Sequence, residues 1–349
     1  MSHSVFSPSA AHRILKCPPS LRLNAQLPDE TSSYAEEGTC AHELCAYLVE
    51  KALGRDVKDP TPDLSYYNPE MQTCAEEYRD YVLSEYEQIK LDCPDAQLLV
   101  EVKVSIDRWV PEGYGTADCV IVADGLSEII DFKYGTGVPV SAETEDFGGN
   151  PQLMCYALGV IAGFGALFDM QRIKTAIFQP RLENVSEHEF ETASLLQWAD
   201  EVLKPTAVVS LAGEGEFCAG DHCRFCKVKA TCRKRAEYNL KLAQYDFRMP
   251  ALLEDFEIEA IVTDVDRLVK WAEEIKKYAL DEAIKGKQYE TLKLVEGRSN
   301  RKYTSDADVA AVVTEAGFNA YKAPEVLGIT EMTKQLGKKK FEELLGKLT

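Results

Sequence analysis

The segment from Gly115 to Lys133 constrains the fold of this chain most strongly, because it joins two apolar runs through a turn signal. The runs Cys119–Ala123 and Ile129–Phe132 are rich in β-branched residues. The dipeptide Asp124-Gly125 between them favours a tight turn between antiparallel strands. The pattern therefore predicts a β-hairpin within a larger sheet.

Each strand of this hairpin carries charge that a plain core strand would lack. Asp118 lies on the first strand, and Asp131 and Lys133 lie on the second. Side chains alternate along a strand, so Asp131 and Lys133 are expected on the same face. Two carboxylates beside an ammonium suit a divalent cation that acts on a phosphoryl group. The alternative is a surface hairpin with an ordinary salt bridge.

The remaining hydrophobic patterns predict an α/β fold with a central mixed sheet flanked by helices. Further strands are expected at 98–106, 173–179 and 185–190, and helices at 34–52, 69–90, 151–163 and up to residue 211, the last bent or divided by Pro205. In the first of these strands, Val100, Val102 and Val104 are expected to share one face. Glu101, on the other face, is a secondary candidate for the cation site. The acidic loop between Lys133 and Asn150 is a candidate for covering a substrate.

Cysteine spacing predicts a second site. The chain has 11 cysteines, an odd number, which favours reduced thiols and metal ligation over disulfides. The pattern Cys223-x-x-Cys226-x5-Cys232 is typical of zinc or iron–sulfur sites, and both need four ligands. Cys218 and His222 are local candidates for the fourth position, which a distant residue could equally fill.

Charge and hydropathy narrow the function classes. The net charge of −19 argues against a generally basic nucleic-acid binder, but residues 222–235 hold six Lys or Arg and no acid. A second, weaker basic run spans Lys334–Lys347. No apolar run approaches the length of a membrane span, and no leader pattern is apparent, so a cytoplasmic location without membrane contact is expected. The absence of P-loop and Rossmann motifs argues against ATP hydrolysis and dinucleotide binding.

Several motifs in a fixed order resemble a known nuclease group. Asp118 followed by Asp131-Phe132-Lys133 resembles the PD-(D/E)XK signature of restriction-endonuclease-like nucleases. The chain further resembles the RecB-like branch of these nucleases, which includes the iron–sulfur nucleases of CRISPR adaptation. The motifs of this resemblance are Gly38-Thr39-x-x-His42, Gln152-x-x-x-Tyr156, and Cys17 with the three later cysteines. The segments SPSAAHRILKCPPS and LVEGRSNRKYT are similar to those of the phage and prophage family called domain of unknown function 2800.

The resemblance implies a restriction-endonuclease-like core and a metal centre. Asp118, Asp131 and the backbone carbonyl of Phe132 would bind Mg²⁺ or Mn²⁺, with His42 as a further ligand. Lys133 would orient and help to deprotonate the attacking water, while Gln152 and Tyr156 would position the substrate backbone.

The resemblance also implies a structural [4Fe-4S] cluster. Its ligands would be Cys17, Cys223, Cys226 and Cys232, with Zn²⁺ as the competing occupant of the cysteine site. With Cys17 as the fourth ligand, the cluster would hold together the two ends of the nuclease domain, which lie some 200 residues apart in the sequence.

The expected function is metal-dependent DNA hydrolysis, as an exonuclease on DNA ends or single strands in phage recombination or repair. A phage recombination or single-strand-binding protein would be a partner, inside the bacterial host cytoplasm. Three alternatives stay open: a DNA-processing factor like the CRISPR-adaptation nucleases, a DNA- or partner-binding protein with weak or no cleavage, and a zinc-stabilised interaction module. Residues 1–245, with cluster segments at Cys17 and 218–235, would form the nuclease domain, and 246–349 a mainly helical appendage.

Overall fold

The computed structural model describes residues 5–28, 32–241, 253–296, 305–315, 328–329, 332–333 and 337–345. The chain divides into two compact units, Met1–Lys285 and Gly286–Thr349. The predicted boundary at residues 245–246, and most of the LVEGRSNRKYT motif, lie outside the described residues.

The larger unit is a mixed α/β structure built on one five-stranded sheet. Its strands are β1 (Gln97–Ser105), β2 (Tyr114–Val122), β3 (Leu126–Phe132), β4 (Arg172–Gln179) and β5 (Asn184–Glu191), and they lie in that order across the sheet. Strands β3 and β4 are parallel, and the other neighbouring pairs are antiparallel. The predicted mixed sheet is therefore confirmed, and so is the hairpin at Asp124-Gly125, where Gly125 has a φ of 79°.

Helices cover both faces of this sheet. The helices of the larger unit are α1 (Ala11–Lys16), α2 (Ser20–Ala25), α3 (Ser33–Ala52), α4 (Pro69–Asp92), α5 (Pro151–Phe164), α6 (Thr192–Trp198), α7 (Lys204–Ala212), α8 (Arg233–Leu240) and α9 (Asp255–Ile284). In the smaller unit, α10 spans Asp306–Glu315 and α11 spans Lys338–Leu345. The helix predicted up to residue 211 is divided by a π-helical segment, Ala199–Leu203, just before Pro205.

Two apolar cores lie on opposite faces of the sheet. One contains buried residues of α1, α2, α5, α6 and α7, and the other contains buried residues of α3 and α4. Helix α5 crosses from β3 to the parallel strand β4, as a parallel connection requires. It begins where predicted, because the Asn150 side chain accepts a hydrogen bond from the Gln152 backbone N–H at 3.0 Å and Pro151 follows the cap.

The predicted faces of β1 are wrong. Leu98 and Val100 pack against the α3–α4 core, whereas Val104 lies in the α5 core and Val102 packs against it. The alternation changes phase at Glu101, whose φ is 51°. A left-handed residue rotates the rest of a strand, so the period of two does not carry through it.

Candidate active site and cysteine cavity

The candidate active site lies where β2 and β3 separate. Their ladder is short and runs from Ile121 opposite Glu128 to Cys119 opposite Ile130. Just beyond it, Oδ2 of Asp118 accepts a hydrogen bond from the Phe132 backbone N–H at 2.7 Å. The carboxylate thus occupies the place where a strand carbonyl would otherwise pair.

Helix α3 brings His42 to this carboxylate. Its Nδ1 lies 3.2 Å from Oδ1 of Asp118, and its ring meets the Phe132 ring edge-on with centroids 5.4 Å apart. Burial lowers the pKa of His42, but the charge of Asp118 outweighs this effect and raises the pKa above its usual value. Burial likewise works against ionisation of Asp118, yet the His42 and Lys133 charges hold its pKa below the usual value.

Asp131 forms a second group with residues of β3 and α5. Its Oδ2 lies 2.8 Å from the Lys133 ammonium, and its Oδ1 accepts from Gln152 Nε2 at 2.9 Å. Gln152 also accepts from Lys133 at 3.3 Å and donates to the Tyr156 hydroxyl at 3.2 Å. Asp131, Lys133, Gln152 and Tyr156 are therefore brought together in one connected network.

The ionisation of this network follows from its burial. Burial raises the pKa of Asp131, and the Asp118 charge adds to this, while Lys133 offsets part of it. Burial lowers the pKa of Lys133, but Asp131 outweighs this and raises it above the usual value. Lys133 is therefore an ammonium at neutral pH.

Glu101 lies on β1 opposite Asp118, since the flanking pairs are Val100 with Cys119 and Val102 with Ala117. Ligand atoms of His42, Glu101 and Asp118 all lie within 4.8 Å of one another. Burial of its carboxyl, followed by the nearby charge of Asp118, raises the pKa of Glu101 to about 7, although the residue as a whole is exposed. Asp131 is not part of this tight group.

The donor set at this site fits a hard divalent cation. Carboxylate oxygens suit Mg²⁺ and Mn²⁺, and an imidazole nitrogen is compatible with Mn²⁺. Asp118 and His42 lie together as predicted, while Asp131 faces Lys133 and Gln152. The role of the Phe132 carbonyl stays a prediction.

The four cysteines of the predicted cluster line one cavity. Cys17 follows α1, and Cys223, Cys226 and Cys232 lie in the segment before α8. Phe217, Cys218, His222, Arg13 and Arg235 are among the other lining residues. All cysteines of the chain are free thiols, so no disulfide competes for these four. The geometry brings together residues about 200 positions apart, as expected, and their ligation stays a prediction.

Among the described residues, no three of these thiols lie within 4.8 Å of one another, and the identity of the metal group they would hold stays a prediction. Tetrahedral zinc with Zn–S bonds of about 2.3 Å holds its sulfurs about 3.8 Å apart. Within the described ranges, the two groups of three or more metal-ligand atoms that lie within 4.8 Å of one another contain none of these cysteines. His222 instead directs Nε2 to the Cys218 carbonyl oxygen at 3.0 Å. Burial raises the pKa of Cys17 and Cys223, so ligand binding there would release protons.

Sequence reasoning missed Asn24, a buried residue of α2 that joins the two cysteine segments. Its Nδ2 donates to the Cys226 sulfur at 3.3 Å, and its Oδ1 accepts from the Lys227 backbone N–H at 2.7 Å. The Lys227 ammonium donates to the carbonyl oxygens of Asn24 at 3.3 Å and Leu27 at 2.9 Å. A polar residue on a short helix gives no sequence signal for such long-range contacts.

Gln179 was also missed, and it bears on the loop after Lys133. Its Nε2 donates to the carbonyl oxygens of Gly135 at 2.7 Å and Val138 at 3.0 Å, and its Oε1 accepts from the Val140 N–H at 3.1 Å. These hydrogen bonds therefore hold the first half of the loop against the end of β4. The proposal that the loop covers a substrate stays a prediction for its second half.

Fold and site together define a mixed α/β protein with a carboxylate–histidine–lysine centre and a cysteine-lined cavity. The chain belongs to the family described as "Protein of unknown function (DUF2800)", whose model matches residues 3–349. A solved structure titled "Crystal structure of SSO0001" is 14% identical, and the match covers 57% of this chain and 98% of that one with a TM-score of 0.24. No helix among the described residues is long and apolar enough to cross a membrane.

Proposed function

We propose that the protein is a divalent-metal-dependent deoxyribonuclease that hydrolyses phosphodiester bonds. The observation that carries this proposal is the convergence of His42, Asp118, Asp131 and Lys133 where β2 and β3 separate. The resemblance to RecB-like PD-(D/E)XK nucleases supports it, because the same residue types occur there in the same order.

The cation would be held by Asp118 and Asp131, with the Phe132 carbonyl and His42. When bound, Mg²⁺ or Mn²⁺ supplies Lewis acidity and makes water a better nucleophile at neutral pH.

The remaining residues position charge around the scissile phosphate. Lys133 is held by Asp131 and Gln152, so its ammonium is oriented before substrate arrives. A fixed positive charge stabilises the charge that develops on a phosphoryl group during hydrolysis. Since Asp131 raises the pKa of Lys133, charge stabilisation suits this residue better than proton abstraction. Gln152 donates to the Tyr156 hydroxyl, which leaves the hydroxyl proton of Tyr156 for a hydrogen bond to the sugar–phosphate backbone.

The basic segment 222–235 supplies a surface for DNA in an otherwise acidic protein. Lys227, Lys229 and Arg235 are engaged internally, with Lys229 and Arg235 pairing with Glu274. Within the part of the chain that the structure describes, no ion pair or side-chain hydrogen bond engages the three remaining cations, Arg224, Arg233 and Lys234. We propose that these contact phosphates, and that a [4Fe-4S] cluster on the four cysteines holds the segment rigid.

The test is cleavage of labelled DNA by anaerobically purified protein with Mn²⁺. End-labelled linear single- and double-stranded DNA is compared with circular single-stranded DNA, for wild type, Asp131→Ala and Lys133→Ala. We expect release of the end label from linear DNA by wild type only, with circular DNA left intact. If wild-type protein that carries both Mn²⁺ and the iron–sulfur cluster cleaves no DNA, the proposal is contradicted and a binding function is favoured. Cleavage of circular DNA would identify an endonuclease.

A further inference from the structure

A second cavity, of about 470 Å³, opens on the surface beside the cysteine cavity. Helix α2 lines it with Leu23, the segment before α8 lines it with Val228, and the connection after α7 lines it with Phe217. The same three residues also line the cysteine cavity, so the two cavities share an apolar wall. Pockets of roughly 300–1,000 Å³ with mainly apolar walls and a few polar groups are typical of ligand sites.

Phe217 gives the open cavity an aromatic wall that solvent can reach. The residue is 46% exposed. In the part of the chain that the structure describes, no aromatic ring and no cation packs on the Phe217 ring. Its flat apolar face is therefore available to a planar group, and nucleobases stack on such rings.

Helix α8 supplies the charged side of the cavity. Arg233 and Lys234 line it from the first turn of the helix, and Glu237 lines it one turn further along. Among the described residues, no ion pair or side-chain hydrogen bond engages any of these three side chains. The cavity thus combines an apolar wall with two positive charges and one carboxylate.

A nucleotide of single-stranded DNA matches each of these features. Its phosphates are anions for Arg233 and Lys234, its base has a π-face for Phe217, and the N–H groups on the base edge can donate to Glu237. An acidic peptide matches less well, because its carboxylates would be repelled by Glu237. Duplex DNA also matches less well, because its bases are already stacked and paired.

We propose that this cavity binds an unpaired nucleotide of single-stranded DNA, with the base stacked on Phe217 and the phosphates beside Arg233 and Lys234. Cys232 lines both cavities and directly precedes Arg233, so a cluster in the first cavity would hold the cation in place in the second. This inference deepens the proposed function by naming the unpaired strand as substrate, and it rests on that function for its catalytic meaning. Binding itself can be measured without cleavage.

The experiment measures the affinity for fluorescently labelled oligothymidylate of about 20 nucleotides by anisotropy. The protein is cluster-loaded and contains no added divalent cation, so cleavage does not interfere. Phe217→Leu keeps an apolar side chain but loses the ring, and it should weaken binding by at least about fivefold. Phe217→Tyr keeps the ring and should bind as wild type does. Arg233→Gln should also lower the slope of log affinity against log salt concentration by about 0.7, whereas Phe217→Leu should leave this slope unchanged.

Two controls separate base stacking from an effect on the fold. Phe225 lies in the same cysteine segment and is 68% exposed, but it lines neither cavity, so Phe225→Leu should bind as wild type does. A sugar–phosphate backbone of the same length without bases should bind wild type and Phe217→Leu with equal affinity. The iron content of each variant shows whether the cluster is retained.

Equal affinity of wild type and Phe217→Leu for oligothymidylate would overturn the inference. An equal loss in Phe225→Leu, or with the base-free backbone, would do the same. If Phe217→Leu does not fold, wild type alone decides, since it must bind oligothymidylate at least about fivefold more tightly than the base-free backbone. Binding that depends on Phe217 without any cleavage would contradict the proposed function and leave the nucleotide site standing. Cleavage with binding that does not depend on Phe217 would do the reverse.

Discussion

Strand β3 carries two buried carboxylates, Glu128 and Asp131, which face opposite sides of the sheet and have different surroundings. Asp131 faces α5, where Gln152 and Lys133 contact it, and it adjoins the accessible group of His42, Glu101 and Asp118. Glu128 faces α4 and is fully buried.

On the Glu128 side a lysine already occupies the centre of an acidic group. The Lys174 ammonium lies 2.7 Å from Glu85, 2.9 Å from Glu187 and 3.3 Å from Glu128. Ligand atoms of these three glutamates lie within 4.8 Å of one another, as in the candidate active site. The difference is that the Lys174 ammonium supplies the positive charge of this group, whereas the group beside Asp118 would take a cation from solution.

Clustered acidic residues alone do not identify a metal site. Both faces of β3 gather carboxylates beside a lysine, and burial raises the pKa of Glu128 to about 8. What distinguishes the group beside Asp118 is the imidazole of His42 and a carboxylate, Glu101, that no described ion pair engages.

The largest effect should be on cleavage. Asp131→Asn is expected to lower the rate of Mn²⁺-dependent DNA cleavage by about 100- to 1000-fold, because it removes a charge that orients Lys133 and, in the proposed function, would bind the cation. Glu128→Gln, on the same strand, is expected to leave the rate within about twofold. The measurement is the single-turnover rate on end-labelled DNA. Similar losses in both variants would show that the two faces do not differ in function.

The next effect should be on stability. Lys174→Ala leaves the carboxyl groups of Glu85, Glu128 and Glu187 without their cation and is expected to lower the free energy of unfolding by about 3–5 kcal/mol. Added Mn²⁺ should restore part of this loss, since the vacated centre then suits a hard cation.

Urea unfolding measures this effect, with Lys58→Ala as the control. Lys58 pairs with Asp63 at 2.8 Å on an exposed surface, so its loss should change the stability by less than about 1 kcal/mol. Equal effects of the two substitutions would mean that the Lys174 group is not structural.

Glu128→Gln should stabilise the protein in a pH-dependent way. A carboxyl whose pKa is raised to about 8 in the folded state binds a proton that the unfolded chain releases near pH 4.5, so wild-type stability falls as pH rises between these values. Glutamine does not ionise, and the advantage of the variant should grow from pH 5 to pH 9. At pH 9 we expect the variant to be more stable than wild type by about 2 kcal/mol. The full pKa shift of Glu128 would give a limit of about 5 kcal/mol, but the protein interior relaxes around the charge and lowers the difference. A constant difference between the two proteins across this range would contradict the buried-carboxyl account.

The smallest effect concerns the strained residue at the open site. Glu101→Gly should raise the free energy of unfolding by about 0.5–1 kcal/mol without metal, since glycine tolerates a positive φ. Glu183→Gly, with the same φ of 51°, should show a similar gain. Only the change at Glu101 should reduce the further stabilisation by Mn²⁺, as thermal unfolding with and without metal would show. Equal stabilisation of the two variants by Mn²⁺ would show that Glu101 does not contribute to cation binding.

Local sequence signals predicted the sheet and the core of the site well. The Asp124-Gly125 turn located the hairpin, and alternation correctly placed Asp131 and Lys133 together. The Asn150-Pro151 cap located α5 and hence Gln152. Each of these signals acts over a few residues, where backbone preference decides the outcome.

Features that depend on contacts between distant segments could not be predicted in the same way. The left-handed conformation of Glu101 breaks the period from which its face was inferred. The Lys174 group joins β3, β4, β5 and α4, and no spacing in the sequence indicates it. The pairing of Cys17 with the later cysteines came only from a family resemblance, since 200 residues separate them.

We expect the group beside Asp118 to bind a divalent cation and the lysine-filled group beside Glu128 to bind none. Anomalous X-ray scattering from a crystal equilibrated with Mn²⁺ tests this most directly. We expect a manganese peak in contact with Asp118 and none among Glu85, Glu128 and Glu187. A peak in the glutamate group, or none at Asp118, would contradict it.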